Sequence, residues 1–186
     1  MRIISGNLKG KKIYFTKNLI TRPLKDSVKE NIFNIINHSP LIKTNIEKAN
    51  ILDLYSGIGS FGIECISRGA SKVTFVECEK YALKILKSNL MNLSISTKSK
   101  ILNYKVENAL NLAFEEKFNI FFLDPPFKDF DFSKNLTLIK EKKLFKSNHL
   151  IIIHREAKTY DELNNIVKII FEKKYGRSKI IFGFFT

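Results

Sequence analysis

The sequence predicts an α/β fold built on a largely parallel sheet, and three observations carry that reading. From Ala49 onward, short strand-like apolar runs alternate with segments of helical periodicity. The first of those runs ends in a glycine-rich turn, Gly57-Ile-Gly59-Ser-Phe-Gly62. The chain has 186 residues and is 44% hydrophobic, which suits one compact domain carrying a short appendage. Strands separated by helices run the same way, and their ligands gather at the carboxyl ends of the strands.

The elements follow in order. Arg2-Ile-Ile-Ser, a loop containing Gly6 and Gly10, and Lys11-Lys-Ile-Tyr-Phe15 read as a small β-hairpin. A helix is expected after Pro23, because Val28, Ile32, Ile35 and Ile36 fall at helical spacing. Residues 40–50 are polar and mark a boundary, so residues 1–45 read as an extension and 46–186 as the main domain. Ile51–Leu54 is the first strand, and a helix then runs to Arg68 and stops at Gly69. Lys72–Glu77 is the second strand, followed by a helix presenting Leu83, Leu86, Leu90 and Leu93. Ile101–Val106 and Ile120–Leu123 are the third and fourth strands. A charged helix covers about 133–143, Leu150–Ile153 is the fifth strand, and 166–175 with 179–185 close the chain as a hairpin.

Charge narrows the function classes. The chain carries 32 Lys+Arg against 18 Asp+Glu, a net +14, which points to an anionic partner, nucleic acid first. Residues 1–50 hold +7, 51–130 only +1, and 131–186 hold +6. No apolar run is long enough to cross a bilayer, and no apolar signal segment follows Arg2. Cys65 and Cys78 form no CxxC pair, and His38, His149 and His154 make no metal spacing with them. The expectation is a cytoplasmic, metal-free protein with no membrane partner.

The glycine loop literally matches a dinucleotide fingerprint, with Glu77 twenty residues beyond Gly57. Asp53 argues against that ligand, because a carboxylate beside the loop repels a pyrophosphate. S-adenosylmethionine (SAM) carries an ammonium and a sulfonium and no phosphate, so it suits Asp53, while Glu77 stands ready for ribose hydroxyls. Asn108, in Val106-Glu-Asn-Ala109, has an amide suited to an adenine edge. Asp124-Pro125-Pro126-Phe127 follows the fourth strand. Its prolines stiffen the backbone and direct carbonyls. The Asp124 carboxylate and the Pro125 carbonyl can hold an exocyclic amine in line for methyl transfer. Phe127 offers a face for an extruded base.

These residues resemble the SAM-dependent amino methyltransferases. More narrowly, the chain resembles the bacterial 16S rRNA guanine-N2 methyltransferase family RsmD. The likeness runs through Met1-Arg-Ile-Ile-Ser-Gly6, Arg22-Pro23, Leu52–Glu64, Phe75-Val-Glu77, Asp124–Phe127 and Tyr175-Gly176. It implies a Rossmann-like class I fold with a seven-stranded, mostly parallel sheet. It also implies SAM as methyl donor, and as acceptor guanine 966 of 16S rRNA in an assembling small subunit. The cofactor residues it implies are Asp53, Tyr55, Gly57, Gly59, Glu77, Cys78, Asn108, Ala109 and Asp124. The catalytic set is Asp124, Pro125, Pro126 and Phe127, and the enzyme is expected to act as a monomer. Leu24 stands where the family usually has Thr, Ile58 where a small polar residue is common, Asn108 for Asp, and Phe127 for Tyr.

Arg2, Lys9, Lys11, Lys12, Arg22, Lys25 and Lys29 are the expected RNA-backbone contacts, whereas Glu64 and Arg68 read as structural. The other readings are a DNA or protein-glutamine amino methyltransferase, an RNA-binding assembly factor with a vestigial pocket, and an NAD-dependent enzyme. The last leaves Asp124-Pro-Pro-Phe127 unexplained.

Overall fold

The computed structural model describes residues 1–15, 24–129 and 131–186. Seven strands form one sheet: β1 (Asn50–Leu54), β2 (Lys72–Val76), β3 (Ser99–Leu102), β4 (Phe118–Leu123), β5 (Phe145–Glu156), β6 (Val167–Tyr175) and β7 (Ser178–Phe185), in the order β3-β2-β1-β4-β5-β7-β6. The first five are parallel, and β7 inserts antiparallel between β5 and β6. The helices are α1 (Asp26–His38), α2 (Ser60–Ser67), α3 (Lys80–Asn92), α4 (Val106–Leu110) and α5 (Phe132–Glu141).

Successive strand residues alternate between two cores, as the pleat requires. Ile51, Phe75, Ile120, Phe122 and Ile152 face one layer, and Leu52, Val76, Phe121, Leu123, Ile151 and Ile153 face the other. The strands are apolar on both faces because helices cover both. The first layer also takes Ile3, Ile13, Leu24, Ile32 and Phe33, so the N-terminal extension shares its core with the main sheet. Phe33 of α1 stacks on Phe61 of α2 at 5.2 Å, and Phe61 on Phe122 of β4 at 4.0 Å. Leu24 and Ile58 are themselves core residues.

Three expectations are corrected. The N-terminal hairpin is reduced to one antiparallel bridge, Arg2 with Lys12, supported by Ile3 N–H to Lys11 O at 3.0 Å and Ile13 N–H to Met1 O at 3.1 Å. Its register is set by α2 instead. Gly6, at φ +81°, lies so close to the Ser67 carbonyl that a Cβ there would stand 1.9 Å from the oxygen. The third strand ends at Leu102, and Val106–Leu110 is helical. Val106, Ala109 and Leu110 bury at i, i+3 and i+4 spacing, a helical signature that overrides the apparent strand.

The third correction concerns Lys29. It is fully buried, with Nζ 3.7 Å from Glu64 Oε2, 3.6 Å from Asp26 Oδ1 and 3.2 Å from the Arg2 carbonyl. A buried ammonium engaged this way is not available to an RNA phosphate. Lys29 lies on the same helix face as Ile32, Phe33 and Ile36, and its stem packs where theirs do.

Glu64 is the hub of this arrangement. Fully buried, it accepts the N–H groups of Ile4 at 2.8 Å and Ser5 at 3.0 Å, and the Arg68 Nε at 2.9 Å. It thereby links the N-terminal strand, α1 and the helix that carries the glycine loop. Glu64→Ala leaves buried Lys29 with only Asp26 and the Arg2 carbonyl and takes the acceptor from two part-buried amides, and is expected to cost about 3–5 kcal/mol. Denaturant unfolding measures the loss, and hydrogen exchange should show the Ile4 and Ser5 amides deprotected first.

Candidate active site

The glycine loop makes a sharp turn between β1 and α2. Tyr55, Gly57 and Gly59 all take positive φ, at 58°, 54° and 86°. The glycines serve different ends. A Cβ on Gly57 would meet nothing within 4 Å, so its backbone faces open space. One on Gly59 would stand 2.4 Å from Leu86 Cδ1, and one on Gly62 2.3 Å from Phe75 Cε1. Gly57 is thus free to face a ligand, whereas Gly59 and Gly62 let α2 pack against α3 and β2.

Two acids shape the loop from below. Asp53, at the end of β1, is 1% exposed, and its Oδ2 accepts the Gly62 N–H at 3.0 Å. Its Oδ1 is buried and has no partner among the described residues. Burial raises the Asp53 carboxyl well above the ordinary range, and the charges of Asp124 and Glu77 push it further. Glu77, following β2, takes Gly57 N–H on Oε2 at 2.7 Å, and Cys78 and Glu79 N–H on Oε1, both at 2.8 Å. Three bonds on a carboxylate with about four lone-pair sites leave one open, on Oε2. The Cys78 side chain is exposed; burial, then Glu77, raises its thiol. Asn108 is exposed on α4 and Ala109 is buried beneath it.

The second wall is the loop after β4. The Asp124 N–H reaches the Leu54 carbonyl at 3.4 Å, which ties this loop to the end of β1. Pro125 is buried, while Pro126 and Phe127 are exposed, Phe127 by 39%. Asp124 Oδ1 lies 2.8 Å from His154 Nδ1 of β5. No hydrogen bond from a described residue reaches Oδ2. Arg155, fully buried, donates to the Pro126 carbonyl at 3.1 Å and the Phe127 carbonyl at 3.5 Å. Its guanidinium also pairs with Asp161 at 3.0 Å and lies over the Phe132 ring at 4.4 Å. Two carbonyls of the loop are therefore held away from the cleft, and no described donor engages that of Pro125.

Tyr55 joins the two walls. Its hydroxyl donates to Asp129 Oδ2 at 3.0 Å and accepts from Asn135 Nδ2 at 2.9 Å. Burial and the neighbouring Asp129 push its phenol well up, so it stays a donor. The Asp129 N–H in turn bonds the Pro126 carbonyl at 2.8 Å.

The expected residues Asp53, Tyr55, Gly57, Glu77 and Asp124 thus meet at the carboxyl ends of β1, β2 and β4. Arg2, Lys9, Lys11, Lys12 and Lys25 are exposed on the N-terminal side, and Arg22 lies outside the described residues. Among the described residues no cluster of three or more His, Cys, Asp or Glu side chains has metal-binding geometry, and no helix is long and apolar enough to cross a membrane. Spacing alone missed His154, Arg155, Asp129 and Asn135. The available signal was the pair of polar residues closing Leu150-Ile-Ile-Ile153 at the same sheet edge.

A family model described as Conserved hypothetical protein 95 matches residues 1–184. The chain is 33% identical over 171 residues to YlbH of Bacillus subtilis, named as a candidate rRNA methyltransferase, with 90% of each chain covered. It is 34% identical over 156 residues to ribosomal RNA small subunit methyltransferase D of Buchnera aphidicola subsp. Acyrthosiphon pisum, covering 84% of this chain and 78% of that one. The solved structure of yhhF from Escherichia coli, a candidate methyltransferase, matches with a TM-score of 0.81 at 27% identity, over 98% of this chain and 96% of that one. The sheet order and this likeness make the fold a Rossmann-like class I methyltransferase fold. With its model matched almost end to end, the chain belongs to the family described as Conserved hypothetical protein 95, that of the small subunit methyltransferase D proteins.

Proposed function

We propose that this protein transfers a methyl group from SAM to the exocyclic N2 amine of a guanine in 16S rRNA, guanine 966 by family likeness. The observation that carries the reading is the buried, partnerless Oδ1 of Asp53, set with Glu77 and Asp124 at the open face of Gly57. Three acids around the glycine turn suit a cationic nucleoside rather than a dinucleotide, whose pyrophosphate they would repel. The residues present fit SAM: Asp53 takes the cationic end, and the open lone pair of Glu77 takes a ribose hydroxyl. When bound, SAM supplies an electrophilic methyl on its sulfonium.

The chain's own part is to orient and neutralise. Asp124 Oδ2 and the Pro125 carbonyl accept the two hydrogens of the amine and aim its lone pair. The carboxylate then offsets the positive charge that grows on nitrogen as the N–C bond forms. The product amine sheds its extra proton readily, so no separate strong base is required. Phe127 is exposed, and its face is assigned to stacking on the extruded base. Arg2, Lys9, Lys11, Lys12 and Lys25 lie together near one another in sequence and exposed, and we assign them to the RNA backbone. The substrate is an assembling small subunit in the cytoplasm, and the enzyme acts as a monomer.

Four measurements test this. With methyl-labelled SAM and 16S rRNA, wild-type protein should label RNA, and mass mapping should place the methyl on a guanine N2; label only on DNA or protein would redirect the assignment. Asp124→Ala should lower turnover by about 100- to 1,000-fold with SAM affinity nearly unchanged.

Asp53→Asn should act in opposite directions on stability and binding. A carboxyl raised in the folded state takes up a proton on folding, so wild-type stability falls as pH rises from the ordinary value of 3.8 through the raised one. Removing the charge should raise the unliganded Tm by about 2–4 °C, equivalent to roughly 1 kcal/mol in a chain of this size. A cation favours the ionised carboxyl, so SAM affinity should climb with pH across that window in wild type and lose this dependence in the variant.

Replacing Lys9, Lys11 and Lys12 together by Ala should reduce the salt slope of RNA binding by about 2–3, with SAM affinity unchanged. A slope equal to that of wild type removes these lysines from the interface.

A further inference from the structure

Methyl transfer as proposed above needs one oxygen of Asp124 turned toward the amine, and nothing in the Asp-Pro-Pro-Phe loop itself chooses which. His154 makes that choice. Its Nδ1 stands 2.8 Å from Oδ1 and leaves Oδ2 without a protein partner. We propose that His154 is the positioning residue for Asp124, fixing the carboxylate rotation so that Oδ2 alone faces the acceptor amine. This rests on the methyltransferase reading of the same site.

Two features separate this role from ordinary packing. The ring is 8% exposed, yet its Nε2 is buried with no hydrogen-bond partner among the described residues. A histidine kept for packing or for a structural network would be expected to satisfy both nitrogens, and a leucine or phenylalanine would avoid burying an unpaired one. Among the described residues, the one polar contact of this ring is to the carboxylate assigned to the acceptor amine. The second feature is the frame around it. Ile153 of β5 pairs with Leu123 of β4 in parallel register, so His154, still within β5 and paired with Ile180 of β7, stands beside Asp124 just past the end of β4. The next residue, Arg155, holds the Pro126 carbonyl at 3.1 Å, and the Phe127 ring meets the imidazole edge-on at 5.9 Å. Consecutive residues of one strand therefore fix the head and the middle of the acceptor loop.

The contact also fixes which ring nitrogen donates: the carboxylate oxygen accepts, so Nδ1 carries a proton. An asparagine amide can present a donor near the Nδ1 position, whereas leucine cannot.

The test compares wild type, His154→Asn and His154→Leu, each first checked for an unchanged melting profile, with labelled SAM and 16S rRNA. His154→Leu should lower kcat by about 100-fold, the effect expected when a reacting group is misplaced by about 1 Å. SAM affinity should change by less than about threefold, as expected for a group with no assigned cofactor contact, and His154→Asn should recover most of the lost kcat. A kcat for His154→Leu within threefold of wild type overturns the proposal, as does an Asn variant no better than the Leu variant.

A second readout needs no RNA. Nitrogen-15 spectra of the ring should show Nδ1 protonated in wild type, with that state altered in Asp124→Ala. An Nδ1 without a proton, or a ring state indifferent to Asp124, rules the assignment out even if wild-type protein transfers no label. That last result would separately sink the rRNA reading.

Discussion

The parallel pairing of β1 with β4 at the centre of the sheet fixes where chemistry can occur. Their register sets Leu54 beside Leu123, so Asp53 and Asp124 stand one residue either side of the last paired row. Both strands are apolar on both faces and packed under helices, which leaves the chain no means of sliding one past the other without exposing a core. Every other part of the site takes its position from this row. Glu77 follows the neighbouring strand β2, His154 and Arg155 follow the matching row of β5, and Tyr55 turns from the end of β1 to reach the far loop.

The site is acidic inside a protein of net +14. That contrast has a physical logic. Burial raises the cost of ionising Asp53, and the charges of Asp124 and Glu77 add to it. Such a cluster is poor design for stability and good design for receiving a cation, the usual trade at a preformed site. The exposed lysines lie elsewhere, on the N-terminal segment. Glu64 links that segment to the glycine-loop helix through two backbone N–H bonds, so the surface assigned to RNA and the loop assigned to SAM share one rigid support.

Much of this was readable in the residue pattern. The strand and helix alternation, Gly69 as a stop, the terminal hairpin and the clustering of Asp53, Glu77 and Asp124 all follow from periodicity and from the rule that ligands sit at strand ends. What failed did so for particular reasons. Lys29 looked like one more basic residue, although it lies three, four and seven positions before Ile32, Phe33 and Ile36 and therefore on their buried face. Val106 looked like the end of a strand because a four-residue strand next to a one-turn helix leaves too little periodicity to separate them. His154 and Arg155 depend on the register between β4 and β5, which spacing along the chain does not encode. The glycines were read as one motif, and only the backbone distinguishes Gly57, which faces space, from Gly59 and Gly62, which face side chains.

The position of β6 has a consequence for the second block of positive charge. This strand is the outer edge of the sheet, and an edge strand offers unpaired backbone groups to any other strand of suitable length. Lys168, Lys173 and Lys174 are exposed along it, and its ladder with β7 slips between Ile169 and Phe171. Two copies of the chain approaching through this edge would bring like charges face to face across an irregular ladder. Part of the C-terminal excess of lysine is thus accounted for by colloidal behaviour: it keeps these sheets from joining end to end when the protein is concentrated.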